Sequence, residues 1–146
     1  MSEHTIRDNV DVFRLAFDDS PDVISISRIS DGLYRDINQR FSEVLGYARD
    51  EVIGKSAEEL GIWAYVADRR QLVRSLETQG LVDNLEAWFR AKDGHLVAGL
   101  LSGRRVTVDG EALLLTMTRD ITAQARTREQ VQRAERLSAL GVLAGG

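Results

Sequence analysis

The chain has 146 residues, no cysteine and a formal net charge of −4. The absence of cysteine excludes disulfides, thiolate metal sites, cysteine nucleophiles and cysteinyl photoadducts, and the mild negative charge argues against a general nucleic-acid binder. Because the apolar runs are too short to span a bilayer and the polar N-terminus does not resemble a signal peptide, we expect a soluble cytoplasmic protein without membrane contact.

The first half of the chain contains both helical and strand patterns. The segment VDVFRLAFDDSP places Phe13 and Phe17 four residues apart, on one helix face, and Pro21 ends that helix. VISISRI alternates as a strand, with Ile24 and Ile26 on one face, and LYRDIN predicts a second short strand. Short helices are predicted over QRFSEVLGYARDEVIGKSAEELGIW, and a longer helix over VADRRQLVRSLETQG.

The second half predicts three strands and a final helix. The strands are LVDNLEAWFRA, HLVAGLLSGRRVTV and EALLLTMTRD, and the Asp-Gly pairs between them indicate hairpin turns. We expect one helix from about Thr122 to Ala144, roughly 35 Å long at about 1.5 Å per residue. The fold class that suits this order is α+β, with a five-stranded antiparallel sheet and helices on one face.

Five segments in this order resemble a PAS domain over roughly residues 10–122: SPDVISI, NQRFSEVLGYARDEVIGK, ELGIW, FRAKDGHLV and RDIT. The last contains the family's strand-end signature, Asp120, Ile121 and Thr122, which the resemblance makes the joint to the outgoing helix. Before the longer helix the chain reads AYVADRR, where family members often carry proline and acidic residues. The implied organisation is an N-terminal flanking helix (1–20), a PAS core (21–121) and a C-terminal connector helix (122–146).

The C-terminal segment RLSALGVLAGG carries a second resemblance. It is similar to the segment that precedes the phosphoacceptor histidine of sensor histidine kinases. We therefore expect a kinase transmitter to follow this sequence, the alternative being a plain terminal helix folded back on the domain. The apolar positions that approximate a seam for a partner helix are Val131, Ala134, Leu137, Leu140 and Ala144.

The residues argue against a cofactor. His4 and His95 are the only histidines, and the longer helix, from which haem-binding PAS domains take their axial ligand, has none. Flavin photochemistry of the light-oxygen-voltage kind needs a cysteine. No phosphate-binding glycine motif and no cluster of metal ligands is present, so we expect no cofactor, no metal and no enzymatic activity in this chain.

The resemblance also assigns the faces of the third and fourth strands. A three-residue loop around residues 93–94 would pair Ala87 with Leu101 and Phe89 with Gly99. The implied inward positions are Leu85, Ala87, Phe89, Val97, Gly99, Leu101 and Gly103.

Three of these inward residues, Ala87, Gly99 and Gly103, are small, and small residues on a core face can leave a cavity against the helices. The alternative is a filled core. A wall without charged groups suits a small ligand that is apolar or weakly polar. The candidate wall residues are Ile24, Ile26, Phe41, Leu45, Trp63, Leu72, Leu85, Ala87, Phe89, Gly99, Leu101, Leu115 and Met117.

On the opposite face of the sheet, Trp88 lies opposite Leu100 in this register, and Leu114 shares the face. Large apolar groups on a solvent-facing surface need a cover. The N-terminal helix carries Phe13 and Phe17 in an apolar stripe, which we expect to pack on these residues, either from the same chain or from a dimer partner.

The combined resemblance implies a PAS sensor of a two-component histidine kinase. We expect a homodimer that passes a small-ligand or assembly signal through the C-terminal helix to the kinase and its response regulator. ATP and magnesium would belong to the kinase part, beyond this sequence. Two alternatives remain open: a PAS module that regulates a cyclase or phosphodiesterase, and a ligand-free dimerisation module.

Overall fold

Helices flank and interrupt a single sheet in this chain. The computed structural model describes the backbone of residues 2–145 and the side chains of residues 11–141; Ala144 of the predicted seam lies outside those side chains. The elements are α1 (Ser2–Asp19), β1 (Val23–Arg28), β2 (Tyr34–Ile37), α2 (Gln39–Leu45), α3 (Arg49–Val52), α4 (Ala57–Leu60), α5 (Val66–Gln79), β3 (Leu81–Arg90), β4 (Leu96–Val108), β5 (Glu111–Asp120) and α6 (Thr122–Gly145).

The sheet has five antiparallel strands in the order β2-β1-β5-β4-β3, which confirms the predicted α+β class. The β4–β5 hairpin turns through Asp109 and Gly110, whose φ angles are 50° and 77°. Both lie in the left-handed region that a two-residue hairpin turn requires, and Asp-Gly is a favoured sequence there. The predicted turn is therefore confirmed.

The β3–β4 hairpin corrects the expected register. Its loop is centred on Asp93, one residue earlier than expected, since the backbone closes between residues 91 and 95. From Leu85 to Arg90, each cross-strand partner is consequently shifted by two residues, so that Ala87 pairs with Gly99 and not with Leu101. A shift of two residues preserves the side-chain alternation, and the predicted inward and outward faces of these two strands are retained.

The faces of β1 and β5 are the reverse of those predicted. Ser25 pairs with Thr116, and their buried hydroxyl groups bond each other at 2.5 Å on the core side. Leu114, predicted to face outward, lies inward with Thr116 and packs against the core. Because side chains alternate along a strand, the residues between these positions face outward. The predicted pocket residues on this outer face are Ile24, Ile26, Leu115 and Met117.

The core lies between the inner face of the sheet and helices α2–α5. Its most buried members include Phe41, Val52 and Ile62. Asn38 precedes α2 and is also buried; its side-chain oxygen accepts from the backbone N–H groups of Ile24 and Phe41 at 2.9 and 3.1 Å. This amide caps α2 and fixes it to β1.

Helix α1 lies beside α2 within the chain. Its Arg14 donates to Asp36 at 2.8 Å, and its Phe17 carbonyl accepts from the Asn38 side chain at 2.9 Å. Partial burial acts to raise the pKa of Asp36, but the hydrogen bonds from Arg14 and Arg49 outweigh it and leave that pKa below its ordinary value. The expected packing of α1 on its own chain's Trp88 patch is therefore replaced by polar contacts to Asp36 of β2 and to Asn38.

Helix α6 starts on the outer face of the sheet and then leaves it. The Ile121 N–H donates to the Ala98 carbonyl at 2.9 Å, and Arg128 reaches Glu86 at 3.2 Å. Ala125 is 2% exposed, whereas residues 126–141 are all exposed. The predicted single helix without a break near Arg128 is confirmed. None of the described helices combines the length and apolar character that a membrane crossing requires.

Candidate functional site

A cavity of about 360 Å³ lies between the inner face of the sheet and α5, a volume within the range of small-molecule sites. Its floor comes from alternate residues of β1 and β5, and its opposite wall from α5 and the segments before it. Its apolar lining residues include Val23, Tyr34, Phe41, Val44, Leu45, Ile62, Trp63, Leu72, Val73, Leu76, Phe89, Val97, Leu101 and Leu114.

The predicted wall residues fall into three groups in the structure. Those that line the cavity are Phe41, Leu45, Trp63, Leu72, Phe89 and Leu101. Those that are buried elsewhere in the sheet are Leu85, Ala87 and Gly99. Those on the outer face are Ile24, Ile26, Leu115 and Met117, because the inner positions of β1 and β5 are polar.

The small inward glycines do not create the cavity. A Cβ atom added at Gly99 would lie 2.6 Å from Thr118 Cγ2 and 2.7 Å from Phe89 Cε2. One added at Gly103 would lie 3.2 Å from a Val82 methyl group. The space beside both glycines is therefore filled by neighbouring side chains, as in any tightly packed interior. The cavity lies nearer to β1, β5 and α5.

An aromatic pair and a buried hydroxyl pair shape the interior. The rings of Trp63 and Phe89 lie 4.9 Å apart at a tilt of 48°, and Trp63 forms a backbone bridge to Phe89 at the edge of β3. The hydroxyl groups of Ser25 and Thr116 satisfy each other. Burial raises the pKa of the Tyr34 hydroxyl, which keeps that group neutral.

The segment before α5 is held by β3 and not by a side-chain cap. The Ala64 N–H donates to the Trp88 carbonyl at 3.1 Å, and the Trp88 N–H donates to Asp68 at 3.1 Å. These bonds cover part of the exposed edge of β3. They explain how AYVADRR leads into the helix without the family's usual proline, and they hold Trp63 in the wall.

Charged side chains line parts of the cavity that the sequence analysis assigned to apolar residues only. Arg69 forms an ion pair with Glu58, and Arg28 binds Asp31 at 2.5 Å. The charged lining residues are Arg28, Glu58, Arg69, Glu77, Arg105 and Asp120. The expectation of an uncharged wall is therefore wrong for the margins of the cavity.

The predicted joint connects the cavity with α6. Asp120 lines the cavity and accepts from the backbone N–H and the hydroxyl of Thr122 at 3.0 and 2.5 Å. The Thr122 hydroxyl also accepts from the Ala98 N–H at 3.1 Å, while Ile121 bonds the Ala98 carbonyl. The start of α6 is thus fixed to both β4 and β5.

The histidine that the structure describes lies away from the cavity. His95 is exposed in the β3–β4 hairpin, where its ring contacts Asp93. Within residues 11–141, no group of three or more histidine, aspartate or glutamate side chains is placed to hold a metal ion.

These features define a class of domain: an antiparallel α+β fold with a cavity on one face of the sheet and a helix that follows the last strand. A family model described as PAS domain matches residues 21–123. Since that match covers well over half of the chain, the chain belongs to the PAS family.

A curated relative and two solved structures are similar to this chain. The relative is the methyl sulfide methyltransferase-associated sensor of Methanosarcina acetivorans, 30% identical over 96% of this chain but only 14% of its own length. The PAS domain of an HTR-like protein from Haloarcula marismortui is 26% identical over 82% of this chain and 98% of its own, with a TM-score of 0.70. A PAS domain from a two-component sensor histidine kinase is 9% identical over 82% of this chain and 99% of its own, with a TM-score of 0.67; this likeness concerns the fold alone.

Proposed function

We propose that this chain is the cytoplasmic sensor and dimerisation domain of a two-component histidine kinase, and that it passes a ligand or assembly signal to the kinase through α6. The observation that carries the proposal is the position of Asp120. Its carboxylate lines the cavity and also accepts a hydrogen bond from Thr122, the first residue of α6. A ligand that moves Asp120 would change where α6 begins and how it is oriented.

The sequence supports a kinase parent. The segment RLSALGVLAGG is similar to the helix that leads to a phosphoacceptor histidine. The curated relative, named as a sensor, supports a sensory role. In the parent, ATP and magnesium would be used by the kinase part, and the phosphoryl group would pass to a response regulator.

The test uses the complete parent protein with radiolabelled ATP and magnesium. Incorporation of acid-labile phosphate on histidine supports the kinase, whereas turnover of a cyclic nucleotide without phosphorylation would contradict it. Thr122→Val, which removes both hydroxyl bonds at the joint, should change the rate of autophosphorylation. Thr127→Val is the matched control, since that hydroxyl bonds only within α6. Equal rates for both variants would contradict the role of the joint.

We further propose a homodimer in which α1 of one chain packs on the outer sheet face of the other. Phe13 and Leu15 of α1 are 75% and 65% exposed, and Met117 on the outer face is 43% exposed. Burying large apolar side chains stabilises an interface by about 1.5–3 kcal/mol each. The sequence predicted Leu114 in this surface, but the structure places Leu115 and Met117 there instead. Trp88 and Leu100 remain part of the surface.

Sedimentation velocity tests the dimer. Met117→Glu should shift the protein toward monomer without lowering its melting temperature, because the residue lies outside the core. Val66→Glu is the control, since Val66 is also exposed but lies on α5, away from the outer face. A wild-type monomer at high concentration, or a Met117→Glu dimer as stable as the wild type, would contradict this interface.

A further inference from the structure

The cavity is a long slot parallel to β5. Its lining includes Leu114, Thr116, Thr118 and Asp120, which occupy alternate positions along that strand. The span from the first to the last is about 20 Å at about 3.3 Å per residue. The lining also includes Ser25 of β1, Leu101 of β4 and Phe89 of β3, so the cavity extends across the sheet as well. Its length along β5 can accommodate an extended chain.

The middle of the slot does not require polar groups from a ligand. The buried hydroxyls of Ser25 and Thr116 bond each other, and among the described side chains no buried nitrogen or oxygen lacks a hydrogen-bond partner. The remaining lining is mainly aromatic and aliphatic, and its other polar groups include the uncharged hydroxyls of Ser27, Tyr34 and Thr118. A charged group placed in the middle would lose its water without gaining a counter-charge, so the body of the ligand should be uncharged and mainly apolar.

One end of the slot carries an arginine that forms no ion pair with any described side chain. Arg105 lies on the inner face and pairs with Leu114 in the sheet register. Of the arginines that line the cavity, Arg28 and Arg69 each have a carboxylate partner. Within the described side chains, Arg105 has no carboxylate within 4.0 Å.

We propose that this slot binds an elongated apolar monocarboxylate whose carboxylate is held by Arg105. A guanidinium group binds a carboxylate through two parallel hydrogen bonds, which orients the ligand as well as holding it. Glu77 lies on the α5 wall of the cavity and would repel a carboxylate or attract an amine, so the test includes an amine. The proposal rests on the proposed function of the cavity as a sensing site and specifies its ligand.

Isothermal titration calorimetry of the 146-residue chain, with decanoate, decanol and decylamine below their aggregation concentrations, tests the proposal. Decanoate should bind at one site, and Arg105→Gln should weaken it at least about tenfold, as loss of a charged hydrogen bond does. Binding of decanol should be insensitive to Arg105→Gln. Arg104→Gln is the matched control: Arg104 is the adjacent arginine, alternates to the outer face and binds Asp83, so it should leave decanoate binding unchanged.

The outcomes separate this inference from the proposed function. If decanol binds and decanoate binds no more weakly to Arg105→Gln than to the wild type, the role of Arg105 is wrong while the cavity remains a ligand site. Tighter binding of decylamine than of decanoate would identify Glu77 as the determinant and overturn the proposal. If none of the three compounds binds, the inference is overturned, whereas the proposed sensing function, which specifies no ligand, and the α6 joint are judged by the phosphorylation experiment. A melting temperature equal to that of the wild type shows that Arg105→Gln is folded.

Discussion

Gly99→Ala tests whether the inner sheet face is filled at this point. The added Cβ would lie 2.6 Å from Thr118 Cγ2 and 2.7 Å from Phe89 Cε2, and both distances are well below van der Waals contact. The methyl group, the ring or the strand must therefore move. Overpacking of this kind lowers the free energy of unfolding by about 1–3 kcal/mol, which corresponds to roughly 4 °C in melting temperature per kcal/mol for a chain of this size.

Urea unfolding followed by circular dichroism measures this loss. Gly103→Ala is a graded control, because its nearest contacts are 3.2 and 3.3 Å and its loss should be smaller. Thr118→Ser removes the clashing methyl group, so the double variant with Gly99→Ala should be more stable than the sum of the two single changes predicts. If Gly99→Ala is as stable as the wild type, the face has free space there, and our account of how Gly99 packs is wrong.

Three other changes test the contacts around the core. Asn38 is 1% exposed and its side-chain oxygen accepts from two backbone N–H groups, so Asn38→Ala should lower the free energy of unfolding by about 2 kcal/mol or more; a loss near zero in urea unfolding would contradict this. Asp36→Asn should increase hydrogen exchange in residues 11–19, where Arg14 is bound. The pKa of Asp36 is lowered, so the stability that its ionised carboxylate contributes is complete above the ordinary carboxyl pKa and is lost as the pH falls. Hydrogen exchange in α1, corrected for its intrinsic rate, should therefore also rise below about pH 4. A pH-independent rate would argue against the bond between Arg14 and Asp36 as a contact that holds α1. Gly141→Ala, in an open stretch of α6, should stabilise that helix locally by about 1 kcal/mol, visible as increased helical circular dichroism.

Local patterns were sufficient to predict the order of the elements, because hairpin turns and helix boundaries depend on a few neighbouring residues. The position of α1 was not predictable in this way. It depends on Asp36 in β2 and on Asn38 directly after β2. These residues contact Arg14 and Phe17 only in the folded chain. An apolar stripe on a helix indicates that the helix has a partner, but it does not identify which surface that partner presents.

The faces of β5 could have been predicted from the β4–β5 turn. A two-residue turn at Asp109–Gly110 fixes the register by counting, and it pairs Gly99 with Asp120. Paired residues lie on the same face of a sheet, so an inward Gly99 requires Asp120, and by alternation Thr118 and Thr116, to face inward as well. Hairpin geometry was the stronger signal here, and apolar alternation was the weaker one.

The failure of apolar alternation coincides with the candidate site for a physical reason. A position that packs against other side chains favours an apolar residue, whereas a position beside a cavity has no such neighbour and tolerates a hydroxyl that finds a hydrogen-bond partner. Ser25 and Thr116 meet this condition by bonding each other. By the same alternation, Asp120 at the end of β5 also faces inward. There it accepts a hydrogen bond from Thr122, the first residue of α6. The polar face that misleads a sequence reading is therefore the face through which the cavity and α6 are connected.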